Sequence, residues 1–414
     1  DACEIYTDVN GVLTSDPRKV PEAKLMDTIT CDEMLELASL GAEVLHPRAV
    51  EIARNYGVNL FVRSSWNDHA GTNLLSEKFR QLNQRGLEHS RSVDGLELVE
   101  DQAVIGLSHV AEKPGVAANL FEELSKGGIN VDLIIQAVHE KNSNDITFTV
   151  NKDEYLEAKI QCKKLIKKSG GKLYSQENMS KISISGAGIM GRPGIAATFF
   201  ETLSKAGINL RLIATSEVKV SCVINSDFGK KALRAISETF ELNEKQIYLN
   251  PTNVNKNFPE VRGVALDLNQ VQVSMIKVPD KPGTAASICS ALAEANISLD
   301  TIVQAERQHS DGCKDISFTL KKEDRKSAEK ALSSLLGCWE SAKIIDGPAI
   351  AKVSAVGAGM PYTTGTAGKM FRAIANKEIN IEMIATSEIR TTCVVKENDG
   401  VNALNAVHEY FNLG

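Results

Sequence analysis

Lys113-Pro114-Gly115, followed by Asp132 and Gln136, returns as Lys281-Pro282-Gly283 followed by Asp300 and Gln304, a displacement of 168 residues at both ends (114 to 282, 136 to 304). Ala214-Thr215-Ser216-Glu217 recurs as Ala385-Thr386-Ser387-Glu388, displaced by 171. A long block has been duplicated, and repetition on this scale decides the architecture ahead of any single residue. Each block splits again. Gly115 with Ile129-Asn130 is answered by Gly194 with Ile208-Asn209, and Gly283 with Ile297-Ser298 by Gly365 with Ile379-Asn380. Four related modules therefore fill the chain from about Asp101 onward.

Within the first module, Val104 to Ser108 reads as a strand that leads through Lys113-Pro114-Gly115 into a helix with Leu120, Phe121 and Leu124 on one stripe. Val131 to Val138 and Ile146 to Val150, around a polar turn at Lys141 to Asn144, predict a hairpin. A helix over about Asp153 to Lys167 and a strand near Lys172-Leu173-Tyr174 complete a ferredoxin-like βαββαβ unit. The fourth module reaches Gly414 directly after its second helix, so its sixth strand must be absent or borrowed. Half-covered sheets of this kind pair with one another and leave clefts between neighbours.

The Lys-Pro-Gly turn suits a ligand site. Proline fits the first turn of a helix, glycine lets a ligand approach the backbone, and the free N–H groups there favour a carboxylate. Asp132 and Gln136, four apart on one strand and hence on one face, could receive an ammonium group from across a cleft. The turn could equally do no more than redirect the chain, and Ser216-Glu217 and Ser387-Glu388 could be polar hairpin turns. Gly186-Ala187-Gly188-Ile189-Met190-Gly191 has the spacing of a dinucleotide fingerprint, but its counterpart Gly357-Ala358-Gly359-Met360-Pro361-Tyr362 loses the third glycine, and a hairpin partner follows where a crossover helix is required. These glycines are read as shaping the loop between modules.

With 414 residues, 43% hydrophobic and 24% charged content, the chain reads as a multidomain globular protein. Its net charge of −6 gives no general pull toward nucleic acid or anionic lipid, so neither is expected as a partner. The eight cysteines are scattered without a C-x-x-C pair and the seven histidines show no ligand spacing, so no metal site and reduced thiols are expected. The opening Asp1-Ala2-Cys3-Glu4-Ile5 has neither an initiator Met nor a signal-peptide profile, and a front end that has been cut is expected.

The module order, the Lys-Pro-Gly turn and the Ile-Ala-Thr-Ser-Glu tract resemble the paired ACT domains of aspartate kinases. Independently, Tyr6-Thr7-Asp8-Val9-Asn10-Gly11, Thr14-Ser15-Asp16-Pro17-Arg18, Glu33 to Ala38, Gly41 to Pro47 and Val62-Arg63-Ser64-Ser65 resemble the last third of the catalytic domain in that family. The resemblance covers essentially the whole chain, with a doubled ACT pair as in the cyanobacterial form. It implies the C-terminal part of an α/β amino-acid-kinase domain over residues 1–80, a linker over 81–100, ACT modules over 101–178 and 179–250, a linker over 251–270, and ACT modules over 271–347 and 348–414.

By the same resemblance the chain is expected to take part in ATP- and Mg²⁺-dependent phosphorylation of the β-carboxylate of L-aspartate. It would be cytoplasmic, homodimeric through its ACT domains, and inhibited by lysine and threonine. Thr7 and Asp8 would meet adenosine, and Leu13, Thr14, Ser15, Asp16, Pro17 and Arg18 would line the phosphates, Arg18 by its fixed fork of donors. Asn10, Leu13 and Glu43 depart from residues common in the family at nucleotide-facing positions. One effector cleft is implied for Glu112, Lys113, Pro114, Gly115, Val116, Ala117, Asn130, Val131, Asp132, Gln136, Asn209, Leu210, Ser216 and Glu217. A second takes Asp280, Lys281, Pro282, Gly283, Thr284, Ala285, Ser298, Leu299, Asp300, Gln304, Asn380, Ile381, Ser387 and Glu388. Ile195, Ala196, Thr366 and Ala367, at the other two helix starts, are further candidates. The Lys-Phe-Gly-Gly motif and the aspartate-binding residues of the family are absent from this sequence, so the catalytic residues are unassigned. A non-catalytic amino-acid-sensing subunit is the alternative.

Overall fold

Seventeen strands and ten helices are placed among the described residues of a computed structural model, which describes residues 2–42, 44–76, 93–139, 143–186, 189, 192–251, 258–304 and 312–414. Glu43, most of the Gly186–Gly191 loop and parts of both expected linkers lie outside them. The front segment carries β1 (Ala2–Thr7), β2 (Thr28–Thr30), α1 (Cys31–Ser39), α2 (Pro47–Tyr56), β3 (Asn59–Ser64) and β4 (Thr72–Leu75). Its four strands run in the order β1-β3-β4-β2, parallel at β1/β3 and β2/β4. α1 starts on a capping box in which Thr30 and Glu33 satisfy each other's backbone N–H groups, and its stripe of Met34, Leu35 and Leu37 is buried.

From Gly95 onward a second, thirteen-stranded sheet takes over. Its first half contains β5 (Gly95–Ala111), α3 (Val116–Lys126), β6 (Val131–His139), β7 (Ser143–Asn151), α4 (Tyr155–Ser169), β8 (Lys172–Ser185), α5 (Ile195–Lys205), β9 (Leu212–Thr215), β10 (Lys219–Asn225), α6 (Gly229–Thr239) and β11 (Ile247–Leu249). The second half contains β12 (Gly263–Pro279), α7 (Thr284–Glu294), β13 (Thr301–Gln304), β14 (Cys313–Lys321), α8 (Arg325–Leu336), β15 (Lys343–Val356), α9 (Thr366–Ala375), β16 (Met383–Thr386), β17 (Arg390–Lys396) and α10 (Gly400–Tyr410).

The modules are nested, where the sequence predicts a simple series. β5 and β8 are single long strands shared by two modules. Ala103–Leu107 of β5 pairs with β7 inside module one, whereas Gly95–Val99 pairs with Lys181–Ser185 inside module two. β12 and β15 repeat the arrangement, Val264–Asp267 lying antiparallel to Lys352–Ala355 in module four. The missing sixth strand of that module is thus borrowed from β12. It follows that 95–100 and 263–270, expected as linker, are strand. Their alternating apolar residues (Leu96, Leu98; Val264, Leu266) are buried in the module cores, and such alternation carries strand information that a boundary drawn from the repeat alone misses.

The sheet runs β13-β14-β12-β15-β17-β16-β6-β7-β5-β8-β10-β9, joined between modules four and one at Ile384–Ala385 against Ile135–Gln136. Its two ends meet through Thr215 of β9, whose Oγ1 donates to the Asp300 carbonyl at 3.0 Å and accepts from Ile302 N at 3.1 Å. Thr386 makes the same pair of contacts to Asp132 and Ile134 at the other seam. The sheet therefore closes on itself around Val104, Leu133, Ile135, Met179, Leu212, Val223, Val303, Ile350, Met383 and Val394, with helices outside.

Candidate functional site

The outer helices decide which modules share a cleft. α3 packs on α9, with Phe121 and Phe371 edge to face at 5.5 Å and Arg372 bonding Glu122 and Asn119 at 2.6 Å. α5 packs on α7, so close that a Cβ on Gly283 would stand 2.9 Å from Ser204 Oγ. Module one thus pairs with module four and module two with module three. The two clefts drawn from sequence joined Glu112–Ala117 to Asn209-Leu210 and Asp280–Ala285 to Asn380-Ile381; the structure exchanges these partners. Sequential neighbours are already joined through the shared strands β5, β8, β12 and β15, so each module's free face is covered by the module across the closed sheet.

All four helices that follow the turns begin at a glycine with positive φ, 90° at Gly115, 104° at Gly194, 100° at Gly283 and 92° at Gly365. None has a side-chain cap; Val116 N and Thr284 N bond back to the Lys113 and Lys281 carbonyls at 3.4 and 3.3 Å, and the first-turn N–H groups that follow stay available to an anion. At the α3 end, Asn380 Nδ2 of module four donates to Glu112 Oε1 at 3.0 Å, and buried Gln136 donates to the Ile381 carbonyl at 2.7 Å. At the α7 end, Asn209 Nδ2 donates to Asp280 Oδ1 at 2.9 Å and Gln304 to the Leu210 carbonyl at 3.3 Å. A cavity of ≈ 20 Å³ lies there, walled by Asn209, Leu210, Asp280–Ala286, Gln304 and Lys314. Each glutamine thus spends one N–H on the neighbouring backbone and keeps its oxygen free to accept.

The two aspartates do not share these clefts, which corrects the expectation that Asp132 and Gln136, like Asp300 and Gln304, face one ligand. The β6/β7 register shifts between Val131 and Ile134 and breaks the alternation that would align them. Asp132 instead pairs with buried Lys181, and Asp300 with fully buried Lys352. Asp132 lines a larger cavity of ≈ 260 Å³ between modules one and four, with Asn130, Gly365, Thr366, Ala367, Ser387 and Glu388 in its wall. Ser387 Oγ is buried without a partner.

Two buried ion clusters lie under this ring. In one, Lys181 and Lys219 face Asp132, Glu388 and Glu97, with Lys219 Nζ 2.5 Å from both Glu97 and Glu388. Burial works to raise the Glu388 carboxyl, but Lys219 and Lys181 outweigh it and bring it down to about 2. In the other, Lys352 and Arg390 face Asp300, Glu217 and Glu36, with Arg390 Nη1 2.9 Å from Glu36 and 4.0 Å from Glu217. Burial and the nearby Asp300 charge push Glu217 up to about 8. Glu36 belongs to α1 of the front segment, so that segment supplies the carboxylate that Glu97 supplies in the first cluster. Ser216-Glu217 and Ser387-Glu388 also do turn hairpins, β9 into β10 and β16 into β17. Sequence reasoning missed the cations, although Lys181 to Lys352 and Lys219 to Arg390 keep the same displacement of 171.

In the front segment, Thr7 ends β1 beside Asp8 and accepts from Ser65 N through its carbonyl at 2.8 Å. Asp16 collects Arg18 Nε at 2.9 Å and Lys19 Nζ at 3.0 Å. Leu13 bridges to Leu25. Thr14 is turned inward, bonding His408 Nε2 at 2.9 Å and the Leu413 carbonyl at 3.1 Å, and Ser15 is also buried. Thr14 thus holds the front segment against α10 and the residues after it, at odds with a place along the phosphates. Around Gly186 the flanking strands are antiparallel, β8 to β10 and β10 to β9, so the geometry of a dinucleotide-binding unit is not built. Among the described residues no group of three His, Cys, Asp or Glu side chains is placed to hold a metal ion, and no helix is long and apolar enough to cross a membrane. Of the eight cysteines, all unbridged, Cys31, Cys162, Cys222, Cys289 and Cys393 are buried.

Nested βαββαβ pairs with uncapped helix starts at their seams, carried behind a small α/β segment, have the architecture of tandem ACT domains joined to a kinase-type fold. The ACT domain family models match residues 103–164, 182–240 and 353–411, and separately 271–338, and the amino acid kinase family model matches 1–64. The crystal structure of aspartate kinase from Synechocystis is 48% identical over 100% of this chain and 72% of its own, with a TM-score of 0.92. Aspartokinases from Thermus thermophilus and Pseudomonas aeruginosa are 41% identical over 244 residues and 38% over 247. The chain belongs to the aspartate kinase family, and it spans 58% of the length of those curated relatives.

Proposed function

We propose that this chain is the nucleotide-side and regulatory portion of an aspartate kinase, which phosphorylates the L-aspartate β-carboxylate from Mg²⁺-ATP and is inhibited by lysine and threonine at its ACT seams. The observation that carries the regulatory half is the pair of uncapped helix starts at Gly115 and Gly283, each facing an asparagine from across a module seam and accompanied by a glutamine of its own module that bonds the backbone across that seam. Amide N–H groups there suit an effector carboxylate, and the acidic residue and glutamine oxygen suit its ammonium. The ≈ 260 Å³ cavity beside α9, with Asn130–Asp132, Thr366, Ala367, Ser387 and Glu388, is a further candidate, and by the sequence repeat alone the uncapped α5 start with Ile195, Ala196, Ser298–Asp300 and Glu217 is its counterpart.

ATP would approach the exposed strand end at Thr7 and Asp8, with Arg18 on its phosphate side. The fit is partial, because Thr14 is committed to α10, Ser15 is buried and the Arg18 fork is held by Asp16. Mg²⁺ would come with the nucleotide phosphates. Dimerisation through the ACT modules belongs to the same proposal and must use surfaces other than the α3/α9 and α5/α7 faces, which pair within the chain.

The test is aspartate- and ATP-dependent acyl-phosphate formation, trapped with hydroxylamine, by the intact protein with and without lysine and threonine. Turnover suppressed by the two amino acids is expected, and turnover indifferent to them contradicts the regulatory assignment. A second reading, a non-catalytic sensing subunit, rests on the same seams, which would serve a sensor whether or not the chain also transfers phosphate. It predicts amino-acid binding with no turnover until a separate catalytic chain is added.

A further inference from the structure

The second helix of each module follows one 3₁₀ turn, which aligns the four: α4 after Lys152–Glu154, α6 after Ser226–Phe228, α8 after Lys322–Asp324 and α10 after Glu397–Asp399. On α4, Tyr155, Ala158 and Cys162 are buried in the core, whereas Leu156 is 70% and Ile160 46% exposed. Four residues apart, these two share one outer face. The equivalent positions hold Lys230 and Arg234 on α6, Lys326 and Lys330 on α8, and Val401 and Asn405 on α10. The fold therefore does not require an apolar residue at either place. On α10 this face is already a docking surface, since Asn405 donates to the Lys19 carbonyl of the front segment at 3.2 Å. On α6 and α8 it is charged and exposed.

Charge along α4 is divided between its ends. Asp153 and Glu157 lie at the start, Lys163, Lys164 and Lys167 along the last turns, and all five are exposed. At about 100° per residue, Lys164 and Lys167 fall on the face of Leu156 and Ile160, and Glu157 borders it on the Lys164 side. A second α4 laid antiparallel, with a two-fold axis near Ile160, sets Glu157 against Lys164 of the other copy and Asp153 against its Lys167. The two Ile160 side chains then meet at the axis. Acidic start and basic end cover each other twice, so the face complements itself, which is the condition for a two-fold interface. A parallel pairing would instead bring lysine to lysine.

We propose that the outer face of α4, centred on Leu156 and Ile160, docks a second copy of this chain, α4 packing antiparallel on α4. This rests on the dimer reading given above and names its surface, which is exposed and so distinct from the α3/α9 and α5/α7 faces that pair within the chain. Burial of Leu156 and Ile160 supplies the attraction, and the end charges fix the direction. One helix face is smaller than the ~800 Å² per partner of a standard stable interface, so association through α4 is concentration-dependent.

The experiment is sedimentation velocity of the intact protein over about a hundredfold range of concentration. It compares the wild type with Leu156→Lys/Ile160→Lys, with Lys164→Glu/Lys167→Glu, and with the latter combined with Asp153→Lys/Glu157→Lys. The first pair copies Lys326 and Lys330 of α8, so the fold accepts it. A wild-type dimer is expected, its dissociation constant raised about tenfold or more by Leu156→Lys/Ile160→Lys. Reversing the two lysines should weaken it several-fold, and the fourfold change, which exchanges the ends, should return it to within about twofold of the wild type. Ile160→Cys should form a disulfide between copies under mild oxidation that the wild type does not form. A dimer untouched by Leu156→Lys/Ile160→Lys, with no cross-link through Ile160→Cys, overturns the α4 surface alone. A dimer weakened by lysine reversal and not restored by the fourfold change means that the lysines meet another acidic surface, and overturns the antiparallel pairing. A monomer at every concentration overturns the dimer reading together with the proposal.

Discussion

At the scale of single residues, the informative groups are charges that composition and motif matching pass over. The Lys-Pro-Gly turns, the asparagines and the glutamines were legible in the sequence because they repeat at fixed displacements. Lys181, Lys219, Lys352 and Arg390 repeat just as regularly, yet isolated cations in strands carry no local signature of burial. Asp132 was placed on the wrong side of its strand because a local register shift leaves no mark in the residue pattern, and Asp300 was read as part of a strand that begins only at Thr301. Glu217 offers the most direct test at this scale. Its carboxyl is raised from 4.5 to about 8, so the folded state holds a proton that the unfolded chain has lost. Its contribution is fully present below about pH 4.5 and is lost as pH rises through about 8, with a slope of at most about 1.4 kcal/mol per pH unit. Glu217→Gln should flatten this part of the stability profile and gain on the wild type above pH 8, as read by urea unfolding between pH 5 and 9. An unchanged profile would show that Glu217 is ionised in the fold.

Among the elements, helices and strands were readable from periodicity, and the module order βαββαβ followed. The sharing of β5, β8, β12 and β15 between modules was not, because a strand that crosses a module boundary keeps the same alternation throughout. Nor did periodicity say which helix faces which, since every outer helix presents a similar apolar stripe. The α3/α9 contact rests on Phe121 at 3% and Phe371 at 0% exposure, within one core common to modules one and four. Phe371→Ala should cost about 3–5 kcal/mol, as buried aromatic truncations do. Hydrogen exchange should show α3 opening along with α9, although α3 lies in another module. Faster exchange confined to α9 would mean that the two modules are not one cooperative unit.

For the molecule as a whole, the closed sheet makes the four modules one ring, and the front segment enters it through Glu36. Arg390 carries that link, bonding Thr215 O of module two at 3.1 Å while pairing with Glu36 at 0% and itself at 2% side-chain exposure. The Thr14–His408 bond at 2.9 Å and Ala358 N donating to Glu33 at 2.8 Å complete the docking surface. Removing one partner of a buried pair strands the other charge, so Arg390→Ala should lower stability by about 3–5 kcal/mol. Denaturation followed separately in the front segment and the ring should show the front segment released first. Simultaneous unfolding with no loss of stability would deny Arg390 this role. The family resemblance read from Thr7-Asp8 and the repeated turns anticipated the domain classes. It could not anticipate that the ACT modules pair one with four and two with three, because that choice is made by strand sharing and ring closure. The account as a whole predicts where effectors sit, and difference density from crystals grown with L-lysine and L-threonine measures this directly. It predicts an amino acid with its carboxylate on the N–H groups that follow Gly115 and another on those that follow Gly283. Amino acids found nowhere on the module seams would contradict it.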